Sequence, residues 1–539
     1  MNRRRFLQTS AVLPLLDARL SAADQTGHQA PYRVLYSNDT TNLSGCISPF
    51  HKKGEPFRLS MLEASVDEVA GLVDAHFLQP GLGMVPMWPS KVLPLEEHYR
   101  WLKERYNQEP DSFGRIVLSG GDVVKTFVDR CRLRGQAPFI SFRLNDAHHK
   151  EFADTKPGEK TGYLGMSVTR FYEEHPEYHI VPGSKRSGDL VQNWAIPAVR
   201  ESKFALIREL CENYDLDGLE LDFMRFYGFF PAEVPVEQRR SIITDFVKQV
   251  RELLDRTTRE GKRRWLCARI PCYLKAFDPL GIDVSAMVAA GLDMVNASAS
   301  YFTLQQTDLP AIRRLAPNAA HYLELCHSIW NGEKLVVGYD TFVFRRATQE
   351  EMQTAAHLAY ARGAQGVSAF NFAYYREHGS PGRGPFAEPP FEVFKHLKDP
   401  AWLAKQPQHW FLAPAWNNPF VRPPLLPRKV KSGSTTKFTL DLAPPDGGWK
   451  TGGRLRIQLE KAPANGSQWT ARLNGTELTS SDDVSEPFPN PYPSMLGKPE
   501  QMRTWIVPVS VPRDGKNKLE LSLKSGEEAT LNYLDLFLP

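Results

Sequence analysis

The chain runs to 539 residues with 42% hydrophobic and 24% charged side chains, a globular balance that can bury a large core and leaves little room for long disorder. Its 66 Lys and Arg against 62 Asp and Glu give a net charge of +4, too even for a nucleic-acid or membrane-surface protein with a basic stripe. No apolar run approaches the roughly 18–20 residues of a membrane span.

At the N-terminus, Asn2-Arg3-Arg4-Arg5-Phe6-Leu7-Gln8 is followed by a weak apolar stretch, Ala11 to Leu16, and by the small residues Ser21-Ala22-Ala23. That order resembles a twin-arginine export signal over residues 1–23. It implies an exported protein, periplasmic or extracellular, carried across already folded. The signal also holds four arginines and one aspartate, most of the chain's excess positive charge. The six cysteines (Cys46, Cys131, Cys211, Cys267, Cys272 and Cys326) include no CxxC pair and sit mostly in apolar runs, so buried thiols are expected rather than disulfides or a zinc site.

From about residue 31 to residue 375 short apolar strands alternate with helical periodicities, the pattern of parallel strands joined by crossover helices. The expected strands are Arg33–Ser37, Leu72–Leu78, Phe139–Leu144, Leu216–Phe223, Trp265–Ile270, Met294–Tyr301, Tyr322–His327 and Gly366–Phe372. Among the helices between them, Phe204, Ile207, Cys211 and Tyr214 form one apolar stripe and Ser241–Leu254 carries another. Thr348 with Glu351 reads as a capping box, and Gly363 as the stop of that helix. Eight such units are the count of a (β/α)8 barrel, expected over residues 24–410. The rival doubly wound sheet would need a glycine-rich phosphate loop after its first strand, and none is there.

Residues 411–431, rich in Pro and Asn, read as a linker or strap. Over residues 432–539 the pattern becomes all-β: Lys437–Leu442, Arg454–Leu459, Trp469–Leu473, Arg503–Val511, Lys518–Leu523 and Thr530–Phe537 alternate and are parted by Gly, Pro, Asn and Asp. They predict a jelly-roll-like β-sandwich. The fold class is therefore α/β, a TIM barrel followed by a C-terminal β-sandwich. The sandwich either binds carbohydrate or buttresses the barrel, and its few aromatics favour the buttress.

The chemistry concentrates in Tyr214-Asp215-Leu216-Asp217-Gly218-Leu219-Glu220-Leu221-Asp222-Phe223. Strand alternation turns Gly218, Glu220 and Asp222 into the barrel and Leu219, Leu221 and Phe223 towards the helices. Carboxylates inside a barrel are costly unless paired or functional, and C-terminal strand ends carry barrel active sites. The bland alternatives are a salt bridge to a barrel Arg for Glu220 and a loop cap for Asp222.

Preceded by Asn193-Trp194-Ala195-Ile196-Pro197-Ala198-Val199-Arg200 and a helix, this strand resembles the pattern of glycosyl hydrolase-like family 10. In that family an Asn-Pro-type segment and a Val-Arg helix start lead into a Tyr-Asp-x-Asp-Gly strand ending in an acid. The resemblance is close over residues 193–222. It implies a (β/α)8 glycoside-hydrolase-type fold acting on carbohydrate, with Asp222 as the strand-four acid. The chain departs from the pattern at Glu220, Phe223 and Met224, where the family often has a His and further Asp residues. The strand is also similar to the signature of the family 18 chitinases. Asp217, Gly218 and Asp222 match it, Glu220 replaces an Asp, and Met224 stands where those enzymes have their catalytic acid, so substrate-assisted chemistry is not expected.

A glycosidase implied in this way needs a second carboxyl group. With Asp222 as nucleophile or base, Glu324 is the first candidate for general acid, because apolar neighbours in Tyr322–His327 would raise its pKa. A salt bridge to a barrel Arg is the alternative for Glu324. Asp146 at the end of the third strand is the second candidate acid, and Glu220 lies one layer deeper. Arg143, Asn145, His148, Arg225, Arg269, Asn296, Tyr301 and Asn371 fall at strand ends and are candidates for binding sugar hydroxyls, with Arg143 and Arg269 expected to point inward and offset the acids. Trp88, Trp194, Tyr227, Tyr273, Trp330 and Tyr374 fall in expected mouth loops, where rings stack on sugar faces. Asp39, Asp74 and His76 either add to the site or cap loops. No cofactor or metal is expected: the first strand has no His-x-His pair, His148 and His149 would face opposite ways, and no GxSxG, HExxH or P-loop occurs. The competing readings are a non-catalytic carbohydrate-binding barrel and a carbohydrate-active enzyme of another class, a lyase or metal-assisted hydrolase.

Overall fold

The computed structural model of the chain describes residues 30–39, 43, 45–52, 54–81, 84–146, 148, 168–184, 189–225, 228–330, 345–376, 388–414, 425–463, 466–490 and 496–539. The expected export signal, the middle of the strap and Tyr227 lie outside these residues.

Eight parallel strands close into a barrel: β1 (Val34–Asn38), β2 (Ala75–Leu78), β3 (Ala137–Arg143), β4 (Gly218–Asp222), β5 (Trp265–Pro271), β6 (Met294–Ser298), β7 (Ala320–Cys326) and β8 (Gly366–Phe370). Each pairs with its neighbours in sequence, and β8 returns to β1 through Val34 opposite Val367 and Ser37 opposite Phe370. These are the eight strands expected from the sequence, with ends moved by a few residues. They read as near-continuous apolar runs because helices cover the outside and side chains fill the inside, so both faces are buried.

The inside is layered. Leu35, Phe77, Phe139, Cys267, Met294 and Tyr322 form an apolar cluster at the N-terminal end of the barrel. Above it, towards the C-terminal mouth, lie Ser141, Glu220, Asn296 and Ser368, all buried. Gly218 fits this bottom layer because Phe139 occupies its side-chain space: a Cβ there would lie 2.1 Å from a ring carbon of Phe139 and 2.5 Å from the Trp265 carbonyl oxygen. Gly218→Ala should therefore cost about 1–3 kcal/mol through overpacking, read as a lower urea midpoint. An unchanged midpoint would mean that the ring moves aside freely.

The helix Gln349–Ala361 begins at the expected capping box: Glu351 N donates to Thr348 Oγ1 at 3.2 Å, and Thr348 N donates to Glu351 Oε2 at 2.8 Å. Its residues Glu351 to Ala359 are all buried, because one side meets the barrel and the other meets the C-terminal domain.

That domain is a sandwich of two antiparallel sheets. The larger contains Gln408–Leu412, Arg428–Val430, Gly453–Leu459, Thr479–Ser481, Met502–Val507 and Ala529–Leu538. The smaller contains Ser434–Leu442, Gln468–Leu473, Thr476–Glu477 and Gly515–Ser525. Alternate residues face inward, so Phe438, Leu440, Leu519 and Leu521 of one sheet share a core with Ile457, Leu534 and Leu536 of the other. The strand Gln408–Leu412 has no counterpart in the sequence reading. It straddles the expected boundary at 410/411 and pairs along Ala529–Leu538 of the sandwich. All six cysteines are buried and unbridged. No helix among the described residues is long and apolar enough to cross a membrane.

Candidate active site

Alternation on β4 distributes its side chains as the sequence dictates. Leu219, Leu221 and Phe223 join the core between strands and helices. Glu220 and Asp222 reach side chains from other strands inside the barrel.

Arg269 is the centre of that interior. In register it lies beside Asp222 on the neighbouring strand. Its Nε and Nη2 donate to Glu324 Oε2 at 2.6 Å and Oε1 at 2.7 Å, a two-pronged pair, while Nη1 donates to Asp222 Oδ2 at 3.2 Å and Oδ1 at 3.3 Å. The guanidinium carbon sits 4.0 Å from the centre of the Phe370 ring. Burial opposes the charge on Arg269, but Glu324 and Asp222 outweigh it and hold the guanidinium well above its ordinary pKa.

This arrangement corrects the expectation for Glu324. Its strand is apolar in sequence, yet its carboxylate meets donors rather than hydrocarbon: Arg269 twice, Ser298 Oγ, and Asn296 Nδ2 at 3.4 Å. All four of these contacts are donors to the carboxylate, and pairing with a barrel Arg, the alternative reading, is what the geometry shows.

Glu220 lies one layer below Asp222. It accepts from Ser141 Oγ at 2.7 Å, Asn296 Nδ2 at 3.2 Å and Cys267 Sγ at 3.5 Å. Burial first, then the neighbouring Asp222, push its carboxyl up to about 7, against the pull of Arg269, Ser141 and Asn296. Asp222 Oδ1 accepts from the Met224 amide at 2.7 Å as well as from Arg269. Its Oδ2 accepts only from Arg269 Nη1 among the described residues.

A second polar cluster caps the first at the mouth. Asp146 Oδ1 accepts from the His148 amide at 2.8 Å and meets His148 Nδ1 at 2.6 Å. Its Oδ2 accepts from Arg143 Nη1 at 3.2 Å and faces Arg225 Nε at 3.8 Å. Burial raises the Asp146 carboxyl, but His148, Arg143 and Arg225 together hold it well below the usual carboxylate range. Burial, with Arg225 beside it, lowers His148 despite Asp146. Arg225 donates to His148 Nε2 at 2.6 Å and to the Tyr301 hydroxyl at 2.5 Å, with its guanidinium over the Tyr301 ring. Arg143 also donates to Gln79 Oε1 at 2.6 Å and pairs with Asp39. Asp39 in turn exchanges hydrogen bonds with Asn371, whose φ of 57° puts it in the left-handed region that Asn tolerates. Beside this cluster stands an aromatic wall: Tyr301, Phe302 and Tyr374 pack with Cys46 and Ala373, and Trp330 lies against them, stacked on Phe302.

The structure thus brings Asp222, Glu324, Glu220, Arg269 and Asn296 into one network, and Asp146, His148, Arg143, Arg225, Tyr301 and Asn371 into another. Three expected sugar-binding residues stand apart. Trp194 is a core residue rather than a mouth residue: it is fully buried between Phe229 and Phe246, because the chain turns inward before the helix Pro197–Asn213. Tyr273 packs in the same core, with its hydroxyl on the Gln306 carbonyl. Asn145 gives both amide hydrogens to backbone carbonyls, of Gln192 at 2.8 Å and Gly228 at 2.6 Å, so it ties loops together. Trp88, another expected mouth ring, is buried with its Nε1 on Glu209. Asp74 caps the entry to β1 through the Arg33 and Val34 amides, and His76 packs between Tyr36 and Phe127. The sequence reading did not single out Gln79, Ser298 or Phe302. Ser298 had a signal, a polar residue in phase with Asn296 on an apolar strand. Gln79 and Phe302 lie just past strand ends, where the period is lost.

Compared with protein-family models and with curated protein sequences, the chain has no match in either. Among solved structures the likenesses are low. The glycoside hydrolase domain of PgaB (BpsB) from Bordetella bronchiseptica is 12% identical with a TM-score of 0.40, over 64% of this chain and 94% of that one. A glycoside hydrolase family 20 β-N-acetylglucosaminidase is 13% identical with a TM-score of 0.37, over 69% of this chain and 70% of that one. α-L-Fucosidase isoenzyme 1 from Paenibacillus thiaminolyticus is 13% identical with a TM-score of 0.34, over 92% of this chain and 97% of that one. These likenesses assign no residue of the site a role.

Proposed function

We propose that the protein hydrolyses glycosidic bonds, with Asp222 as the carboxylate that attacks the anomeric carbon or activates water beside it. One observation carries the proposal. Asp222 ends β4 at the mouth of a closed barrel, where two donors, Arg269 and the Met224 amide, orient it, and among the described residues its Oδ2 accepts only from Arg269. The aromatic wall at Tyr301, Phe302 and Tyr374 supports a sugar as ligand, since rings cover the apolar faces of pyranoses. Asp146 is the second carboxylate at the mouth, held as an anion by His148, Arg143 and Arg225. Glu324 serves to hold Arg269 in place. The segment 193–222 supports membership of glycosyl hydrolase-like family 10, and residues 1–23 support export by the twin-arginine route.

The test is a screen of the purified protein against oligosaccharides and aryl glycosides, with Asp222→Asn alongside. The expected result is hydrolysis of at least one substrate and a fall in kcat of about 100-fold or more in the variant, which still unfolds cooperatively. Full activity in Asp222→Asn would reject the assignment. A second reading, a carbohydrate-binding barrel without turnover, is favoured by the sharing of Arg269 between Asp222 and Glu324, which ties up both acids. It predicts saturable binding of an oligosaccharide without product, for wild type and variant alike.

A further inference from the structure

We propose that Glu486 and Asn490 of the C-terminal domain are positioning residues for the barrel mouth, fixing Arg345–Ala347 ahead of the helix Gln349–Ala361. The inference rests on the glycosidase reading for its effect on turnover, and on geometry alone for its effect on the mouth.

The chain leaving β7 forms a two-residue ladder in which Ser328–Ile329 pairs with Arg345–Arg346. Neither arginine faces solvent. Arg346 turns to the barrel mouth: its Nη2 donates to the Tyr374 carbonyl at 3.3 Å and its Nη1 to Ser328 Oγ at 3.4 Å. Tyr374 belongs to the aromatic wall that also holds Tyr301, the partner of Arg225. Next along the chain, the Ala347 carbonyl accepts from the Tyr375 hydroxyl at 2.6 Å. The segment therefore carries the wall's backbone on its inner side.

On its outer side the same segment is gripped by the sandwich. Asn490 Nδ2 donates to the Arg346 carbonyl at 2.9 Å. Arg345 Nη1 donates to Glu486 Oε2 at 3.2 Å, and Arg345 Nη2 to Glu351 Oε1 at 2.9 Å. Glu486 is itself fixed from within the sandwich by Arg456 Nη2 at 3.0 Å, and Arg456 is anchored on Asp535. Asp535 also meets His409 Nε2 at 3.1 Å, on the strand Gln408–Leu412 that follows the barrel.

A seam that only had to join two domains would be held more cheaply by apolar packing, because buried ion pairs repay their desolvation poorly. What such a network supplies is fixed geometry: each guanidinium fork donates to its partners in one orientation. Here the fixed element is the stretch that backs the mouth. A one-sided apolar contact would let it slide, and positions at reacting centres tolerate little sliding.

The experiment compares the full-length wild type with Glu486→Gln, Asn490→Ala and, as a control, Glu528→Gln, which removes an exposed partner of Lys429 on the same domain. Hydrogen exchange is followed at the amides of Phe372–Tyr375 and Ser328–Ile329, together with kcat and KM on a substrate from the screen. The expected result is exchange about tenfold faster at those amides in Glu486→Gln and Asn490→Ala but not in Glu528→Gln, with kcat lowered about tenfold, KM little changed, and partial rescue by Glu486→Asp. If either variant fails to fold, the other carries the test. Unchanged exchange at Phe372–Tyr375 in a folded variant overturns the proposal whatever the activity. Faster exchange with unchanged kcat also overturns it, since the wall would then loosen without consequence for turnover. If the wild type turns nothing over, it is the glycosidase reading that fails. Faster exchange then still supports the positioning of the mouth, read instead as weaker oligosaccharide binding.

Discussion

Replacing Arg269 by Met will destabilise the protein by about 3–5 kcal/mol at pH 8, and by less at pH 5. Arg269 is the cation that both Asp222 and Glu324 hold, and all three side chains are at most 3% exposed. Met fills much of the volume but leaves two buried carboxylates without their shared cation, held only by neutral donors. They respond by taking up protons, so their folded pKa values rise above the unfolded ones. The folded state then binds more protons than the unfolded state, and stability falls as pH climbs from about 4. The loss relative to wild type is therefore larger at pH 8 than at pH 5. Arg269→Lys keeps a charge but cannot form the two-pronged pair, so it falls in between. Adding Glu324→Leu to Arg269→Met should recover part of the loss, because it removes one orphaned charge. Urea midpoints at the two pH values check this. A loss below about 1 kcal/mol at pH 8, or the same loss at both, would mean that the charges in the barrel are not coupled through Arg269.

Which of these features the sequence disclosed follows from the range of the interactions. The eight barrel strands were legible because a strand buried on both faces is an apolar run bounded by turn residues, a local signal. The inward aim of Glu220 and Asp222 followed from a period of two with Gly218 as a phase marker. The identity of their partners did not. Arg269 was expected to point inward, but nothing local says that it bridges β4 to β7 and takes Glu324 as its two-pronged partner. Trp194 shows the same limit from the other side. A Trp in a loop before a helix reads as exposed, and only the packing of Phe229 and Phe246 around it makes it core. The strand Gln408–Leu412 was missed because its pattern, Gln-His-Trp-Phe-Leu, is set by a long-range partner, Ala529–Leu538, more than a hundred residues on. Its His409 and Gln408 are polar in a fully buried strand because they answer Asp535 and Trp449 of the same domain.

Glu220→Gln should make the protein more stable above pH 7 and have little effect near pH 4.5. The folded-state carboxyl is raised from 4.5 to about 7, first by burial and next by Asp222. Between those values the folded protein keeps a proton that the unfolded chain releases, so wild-type stability falls with rising pH through that window and is level on either side of it. The fall is roughly 3 kcal/mol over the whole interval. Gln has the shape of the protonated acid and no charge to lose, so the variant skips this decline. Its advantage over wild type should grow by most of that amount between pH 5 and pH 8 in urea midpoints, and an advantage that does not change with pH would refute the buried-acid reading of Glu220. The same measurement reaches Asp222 without a substrate. Asp222→Asn removes the like charge that helps to raise Glu220, so the pH-dependent gain from Glu220→Gln should be smaller in the Asp222→Asn background than in the wild type. An equal gain in both backgrounds would show that the two carboxyls do not sense each other, and would contradict their placement one above the other on β4.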